Sequence, residues 1–107
     1  MIEELLRQDR ELKRAKIVSE TAKIPWLELQ RFFAAGKVMR VAPELDLVDV
    51  VFALQEDDFE QVKTWTEALQ VVPVSDDQAK DWVETNATLW AAVVKPWVLV
   101  QTIDTAT

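Results

Sequence analysis

The sequence predicts an α+β domain, with four or five short helices around a small sheet of about three strands. Three observations carry this. Several segments repeat apolar residues every three or four positions, the period of an amphipathic helix. Valine-rich runs near 38–42, 71–74 and 89–101 lack that period and suit strands. Asp46, Asp58 and Ser75 each stand just before a periodic segment, where a side-chain oxygen caps a helix start. The chain has 107 residues, the size of one domain. Folding should bury roughly 65% of its unfolded surface, so the core needs no metal or disulfide staple. The expected layout is one domain over 1–107: an N-terminal helix in 1–24, a body in 25–101 and a frayed tail in 102–107.

Glu3 to Lys23 has helical composition, and Leu5, Leu12, Ala15, Val18 and Ala22 form a narrow apolar stripe. Asp9 and Lys13 stand four apart, as an ion pair on a solvated helix requires. Pro25 should open a second helix carrying Trp26, Leu29, Phe32 and Phe33. Gly36 sits where a helix ends in a left-handed residue. After the strand at 38–42, Asp46 caps a helix flanked by Leu45 and Val50, the positions of a hydrophobic staple. Asp58 with Gln61 starts the next helix, with Phe59, Val62, Trp65 and Leu69 spaced 3, 3 and 4.

Pro73 restricts the 71–74 strand to an edge. Two helices separate it from 38–42, enough chain for a parallel crossover between those strands. Ser75 with Gln78 opens a helix through Ala79, Trp82 and Val83, with Asn86 as terminator. Residues 89–94 are apolar throughout, which calls for cover on both faces. Lys95-Pro96 lacks the usual hairpin residues, so a kink or bulge is expected before Trp97 resumes the strand. Trp97 to Val100 should then belong to the core and not to a detachable tail.

Composition narrows the chemistry. The chain has no Cys and no His, which removes thiolate nucleophiles, histidine-based triads and both classes of ligand from metal sites. One glycine cannot build a Gly-rich phosphate loop. No apolar run approaches the ~20 residues of a membrane helix. The acidic start, Met1-Ile2-Glu3-Glu4-Leu5, has no signal-peptide character, so a cytoplasmic location and no membrane are expected.

Charge is unevenly placed. Residues 1–42 hold nine Lys or Arg against six Asp or Glu, and residues 43–107 hold three against thirteen, giving −7 overall. Such halves can pair with each other or face a partner. Arg7, Arg10, Lys13, Arg14 and Lys16 are the candidate phosphate contacts, but an acidic chain opposes nucleic acid, and none is expected as a partner.

Glu56, Asp57, Asp58 and Glu60, or Asp76 with Asp77, are candidate oxygen ligands for a divalent cation. They lack the spacing and glycine of a calcium loop, and helix capping already accounts for carboxylates at helix starts. Asp46 and Asp49 are candidates for acid–base work, again explained by capping. No catalytic, cofactor or metal residue is therefore assigned, and no cofactor is expected. Five tryptophans, Trp26, Trp65, Trp82, Trp90 and Trp97, are many for this length. Most suit a core, while Trp97, beside Lys95 and Pro96, is the candidate interface residue.

Several segments, in order and spacing, resemble a small bacterial family known only as a domain of unknown function. They are Thr21-Ala22-Lys23-Ile24-Pro25-Trp26, Leu29-Gln30-Arg31-Phe32-Phe33-Ala34, Glu44 to Val50, Asp76-Asp77-Gln78-Ala79 and Lys95 to Gln101. The likeness covers about residues 12–101 and implies a bacterial source and a compact domain. It implies no activity and transfers no functional residue. The expected function is a non-catalytic protein-binding or self-associating domain. The alternative is a carboxylate-based enzyme or ligand-binding protein, with or without a divalent cation.

Overall fold

The computed structural model describes residues 1–103; Asp104 to Thr107, most of the expected tail, lie outside the described residues. Ten elements follow in order: α1 (Ile2–Glu20), β1 (Ala22–Pro25), α2 (Trp26–Ala34), β2 (Val38–Val41), α3 (Leu47–Gln55), α4 (Phe59–Glu67), β3 (Val71–Pro73), α5 (Asp76–Glu84), β4 (Thr88–Val94) and β5 (Trp97–Thr102). The α+β class and five helices stand as expected, but the sheet has five strands where about three were anticipated. Its order is β1-β4-β5-β2-β3.

Two sequence expectations fail here. Residues 22–25 are a strand, and neither the end of the first helix nor the start of the second: α1 stops at Glu20 and Pro25 precedes α2. β1 exists through its pairing with β4, Ala22 opposite Ala91 and Ile24 opposite Leu89, and four residues show no period of their own. Residues 89–101 form two strands. The chain reverses between Val94 and Trp97, which pair with each other, and the Lys95-Pro96 peptide is cis. The two-residue turn Lys95-Pro96 makes the reversal that no Asn-Gly signal announced. Thr102, placed in the frayed tail from sequence, closes β5 opposite Leu89.

The pairing of β2 also departs from expectation. β3 runs antiparallel to β2, and the parallel neighbour of β2 is β5, with Val38 beside Val98 and Arg40 beside Val100. β3 is an edge strand, as Pro73 requires.

Alternation along the strands divides the core between two faces. Leu89, Ala91, Val98 and Val100 pack with Trp26 and Leu29 of α2 and Ala79 and Trp82 of α5. Ala92, Leu99 and Val41 face the other way, against Ile17 of α1 and Leu47, Val50 and Val51 of α3. The sheet is thus covered by helices on both sides, which permits three consecutive buried residues at Val98, Leu99 and Val100. Trp26 is fully buried, and its ring lies tilted at 59° to Trp82 and to Phe33, with ring centres 4.9 Å and 5.6 Å away. Its indole N–H has no partner among the described residues. An unmet donor costs about 1–3 kcal/mol, within what burial of so large a ring offsets.

The stripe read along the first helix is not its buried face. Leu5, Leu12 and Val18 are exposed, and Ile17 is the one buried residue of α1. Only the C-terminal part of α1 lies on the body. The overhang draws the chain out to 53 × 29 × 27 Å, with a radius of gyration of 14.8 Å. A compact chain of this length would give about 13 Å.

The three expected caps form: Asp46 accepts from Val48 N at 2.9 Å, Asp58 from Gln61 N at 3.3 Å and Ser75 from Gln78 N at 3.1 Å. Four helices end in a common motif, a left-handed residue followed by an N–H reaching back five residues. Lys37 N bonds Phe32 O, Asp58 N bonds Ala53 O, Gln70 N bonds Trp65 O and Ala87 N bonds Trp82 O, all at 2.8–3.0 Å. The left-handed positions are Gly36, Asp57, Leu69 and Asn86, with φ of 73°, 56°, 60° and 52°. Asp and Asn tolerate this conformation, whereas leucine pays about 1–2 kcal/mol. Leu69 is 72% exposed and contributes little packing in return. Leu69→Gly should therefore stabilise the fold by about 0.5–1 kcal/mol, a rise of a few °C in Tm. Gly36→Ala meets no atom within 4 Å of the new Cβ, so it should lower Tm through φ alone. Thermal melts of both variants check the paired signs.

Candidate functional site

The carboxylates singled out in the sequence have structural work. Asp46 and Asp58 cap α3 and α4, and Asp76 and Asp77 lie in the first turn of α5, where the helix dipole favours negative charge. Asp57 takes the left-handed turn after α3, and Glu60 stands in the first turn of α4. Glu56 and Asp49 receive cations from α1: Lys13 Nζ lies 3.3 Å from Glu56, and Arg14 donates to Asp49 at 2.6 Å. Among the described residues no three acidic side chains converge on one point.

The basic positions of α1 are drawn into the same pairing. Arg7 pairs with Glu4, Lys13 with Asp9 at 3.3 Å as well as with Glu56, and Lys16 approaches Glu20 at 4.0 Å, while Arg10 is exposed. The guanidinium of Arg14 also lies 5.7 Å from the centre of the Phe52 ring. So the positive front of the chain binds its negative body at two points, Asp49 on α3 and Glu56 just after it. Asp9 first, then Glu56, holds the Lys13 ammonium above its usual range. A raised lysine value means this contribution is whole below about pH 10.4 and fades as pH rises through the raised value.

The tryptophans divide by position. Trp26 and Trp82 are buried, Trp65 and Trp90 are half-buried, and Trp97 is 40% exposed. Lys23 Nζ lies 5.1 Å from the centre of the Trp90 ring, across the β1–β4 pair. Trp97 opens β5 beside the exposed turn Lys95-Pro96. It lines a small apolar cleft of about 190 Å³ with Met39, Leu54, Val62, Val71 and Leu99.

The opposite face of the same hairpin has a larger cleft, about 540 Å³, that sequence reasoning missed. Ile24, Leu29, Phe32, Val93 and Val98 form its apolar wall, with Glu20 and Glu28 also lining it. Val93 is 57% exposed although it sits within an unbroken apolar run. Nothing in that run distinguishes it from its buried neighbours: the exposure arises because β1 pairs only as far as Ala91 and leaves the end of β4 without a neighbour on that side.

What the fold and this end of the sheet define is a small helix-covered α+β domain with apolar clefts on both sides of one hairpin. The chain belongs to the family described as protein of unknown function (DUF2288), matched over residues 12–102. It is similar to a solved structure, the NMR solution structure of PA1075 from Pseudomonas aeruginosa. The two are 46% identical over 90% of each chain, with a TM-score of 0.76. No curated protein matches the chain.

Two kinds of contact hold α1, and their sizes differ. Exposed ion pairs contribute about 0.2–1 kcal/mol each, whereas truncating a buried isoleucine costs about 2–5 kcal/mol. Ile17→Ala should therefore destabilise the protein by more than Arg14→Ala and Asp49→Ala together. A double-mutant cycle on Arg14 and Asp49, read by denaturant unfolding, should return a coupling below about 1 kcal/mol.

Proposed function

We propose that the chain is a non-catalytic protein-binding domain of the bacterial cytoplasm, and that it binds through the hairpin end of its sheet. One observation carries this reading: Val93 and Trp97 stay exposed on opposite faces of the β4–β5 hairpin, each beside an apolar cleft. Aromatic and aliphatic side chains held partly exposed on a rigid strand are suited to anchor a partner. The larger cleft has the volume of an ordinary binding site.

The charge around it favours a particular partner. Glu20 and Glu28 line the larger cleft, and residues 43–107 carry a net charge of −10. A protein segment with apolar side chains flanked by Lys or Arg matches both features. The same negative field opposes phosphate backbones. The engagement of Asp46, Asp49, Glu56 and Asp58 in caps and ion pairs supports the non-catalytic reading over the carboxylate-enzyme alternative.

The test is capture from native cytoplasm with tagged full-length protein, the Val93→Lys variant and the Trp97→Ala variant. A specific protein should be retained by the parent chain and lost with Val93→Lys, whose melting temperature should fall by no more than about 4 °C. The same proteins captured by all three baits would reject the hairpin end as the contact surface. Labelled duplex DNA at about 0.15 M salt should show no saturable binding in the low-micromolar range.

A further inference from the structure

We propose that α1 is a self-association surface, through which two copies pair with their α1 helices antiparallel. This goes beyond the reading of the hairpin end, whose anchors Val93 and Trp97 it does not use. Ile2, Leu5, Leu6 and Leu12 are 72%, 65%, 54% and 72% exposed on the part of α1 that overhangs the body. Ile2, Leu5 and Leu12, spaced 3 and 7, share one helix face, with Leu6 beside them. A helical segment of about 12 residues without tertiary support is marginal in water, so the overhang itself calls for a partner.

Charge selects a second copy and sets its direction. Residues 1–9 carry Glu3, Glu4 and Asp9 against Arg7, net −2, and residues 10–20 carry Arg10, Lys13, Arg14 and Lys16 against Glu11 and Glu20, net +2. Antiparallel pairing sets each negative half against a positive half, where, among the described residues, Arg10 is free of the pairs that Lys13, Arg14 and Lys16 make within the chain, and it opposes the two helix dipoles. It is also a closed two-fold arrangement, which stops at the dimer. The exposed apolar area is on the order of 500 Å² per copy, the size of the largest apolar patch on an ordinary monomer, and patches of that size are often functional. Two copies together bury about 1,000 Å², at the lower limit of a specific interface, so the dimer should be weak and micromolar.

Sedimentation of the full chain across about 1–100 µM tests the pairing. The mass should climb from the 12.3 kDa monomer toward twice that value. Leu5→Glu and Leu12→Glu should each remain monomeric, with a melting curve that matches the parent's at about 1 µM, where both are monomers, since both side chains are exposed. Glu3→Lys/Glu4→Lys should weaken association at least tenfold. Because the chain has no cysteine, single cysteines report direction cleanly. Gln8→Cys, near the two-fold axis, should cross-link to itself on oxidation, and Ser19→Cys should not. A monomer over the whole range, including one that binds anionic vesicles through Leu5, would overturn the proposal. So would a dimer indifferent to Leu5→Glu, or cross-linking at both positions, the mark of a parallel pair. None of these results bears on partner binding at Val93 and Trp97.

Discussion

Val98, Leu99 and Val100 are consecutive, and each is at least 96% removed from solvent. Only a strand with packed layers above and below can bury neighbours that point in opposite directions. β5 meets that requirement by lying between β4 and β2, with α2 and α5 on one face and α1, α3 and α4 on the other. Much of the remaining architecture follows. Both clusters of core residues draw on β4 and β5, so the hairpin is the wall they share. The β2–α3 connection is fastened to it as well: Gln101 Nε2 donates to the carbonyls of Ala42 at 2.9 Å and Leu45 at 2.7 Å. That leaves Asp46 positioned to cap α3.

The layers are not equally tied to this wall. α3 places Leu47, Val50, Val51 and Ala53 in the core, whereas the 19-residue α1 places only Ile17 there and relies on surface ion pairs for the rest. Exposed pairs contribute a few tenths of a kcal/mol each and weaken with salt. Low-stability elements open more readily than the core that carries them. α1 is therefore the layer least firmly held, and the sheet is the part that holds the shape.

The sequence and the structure agree where the determining signal is local. Asp46, Asp58 and Ser75 cap helices because a side chain reaches N–H groups two or three residues away. Gly36 and Asn86 end helices because they tolerate positive φ. Pro73 keeps β3 at an edge because it lacks an N–H. What the sequence hid was settled by residues far away along the chain. β1 depends on β4 some 65 positions later, and the parallel partner of β2 is β5, which no local period announces. The first helix was misread for a related reason: Leu5, Leu12 and Val18 form an acceptable stripe, but the face that is buried is set by where α3 lies, and that selects Ile17. At the candidate site, Trp97 was legible as an aromatic residue next to Pro96. Val93 was not, because six apolar residues in a row give no sign of which one lacks a neighbour.

The manner of association can be argued from the sheet edges. β1 and β3 are the two outer strands, and an unpaired edge is the usual template for strand addition. Here β1 has four residues and β3 three, and each ends in a proline, Pro25 and Pro73. A proline offers no N–H to an incoming strand, and so few residues give little length for a ladder. Pairing along the edges is thus poorly supported, and the faces remain. On the faces, apolar side chains stand exposed at the hairpin end and along the overhanging helix, and acidic groups line the larger cleft. Contacts made there depend on side-chain shape and charge, and not on backbone hydrogen bonds that any strand offers. A partner docked on such a surface, as proposed, would be selected by the placement of Val93, Trp97 and the exposed apolar residues of α1.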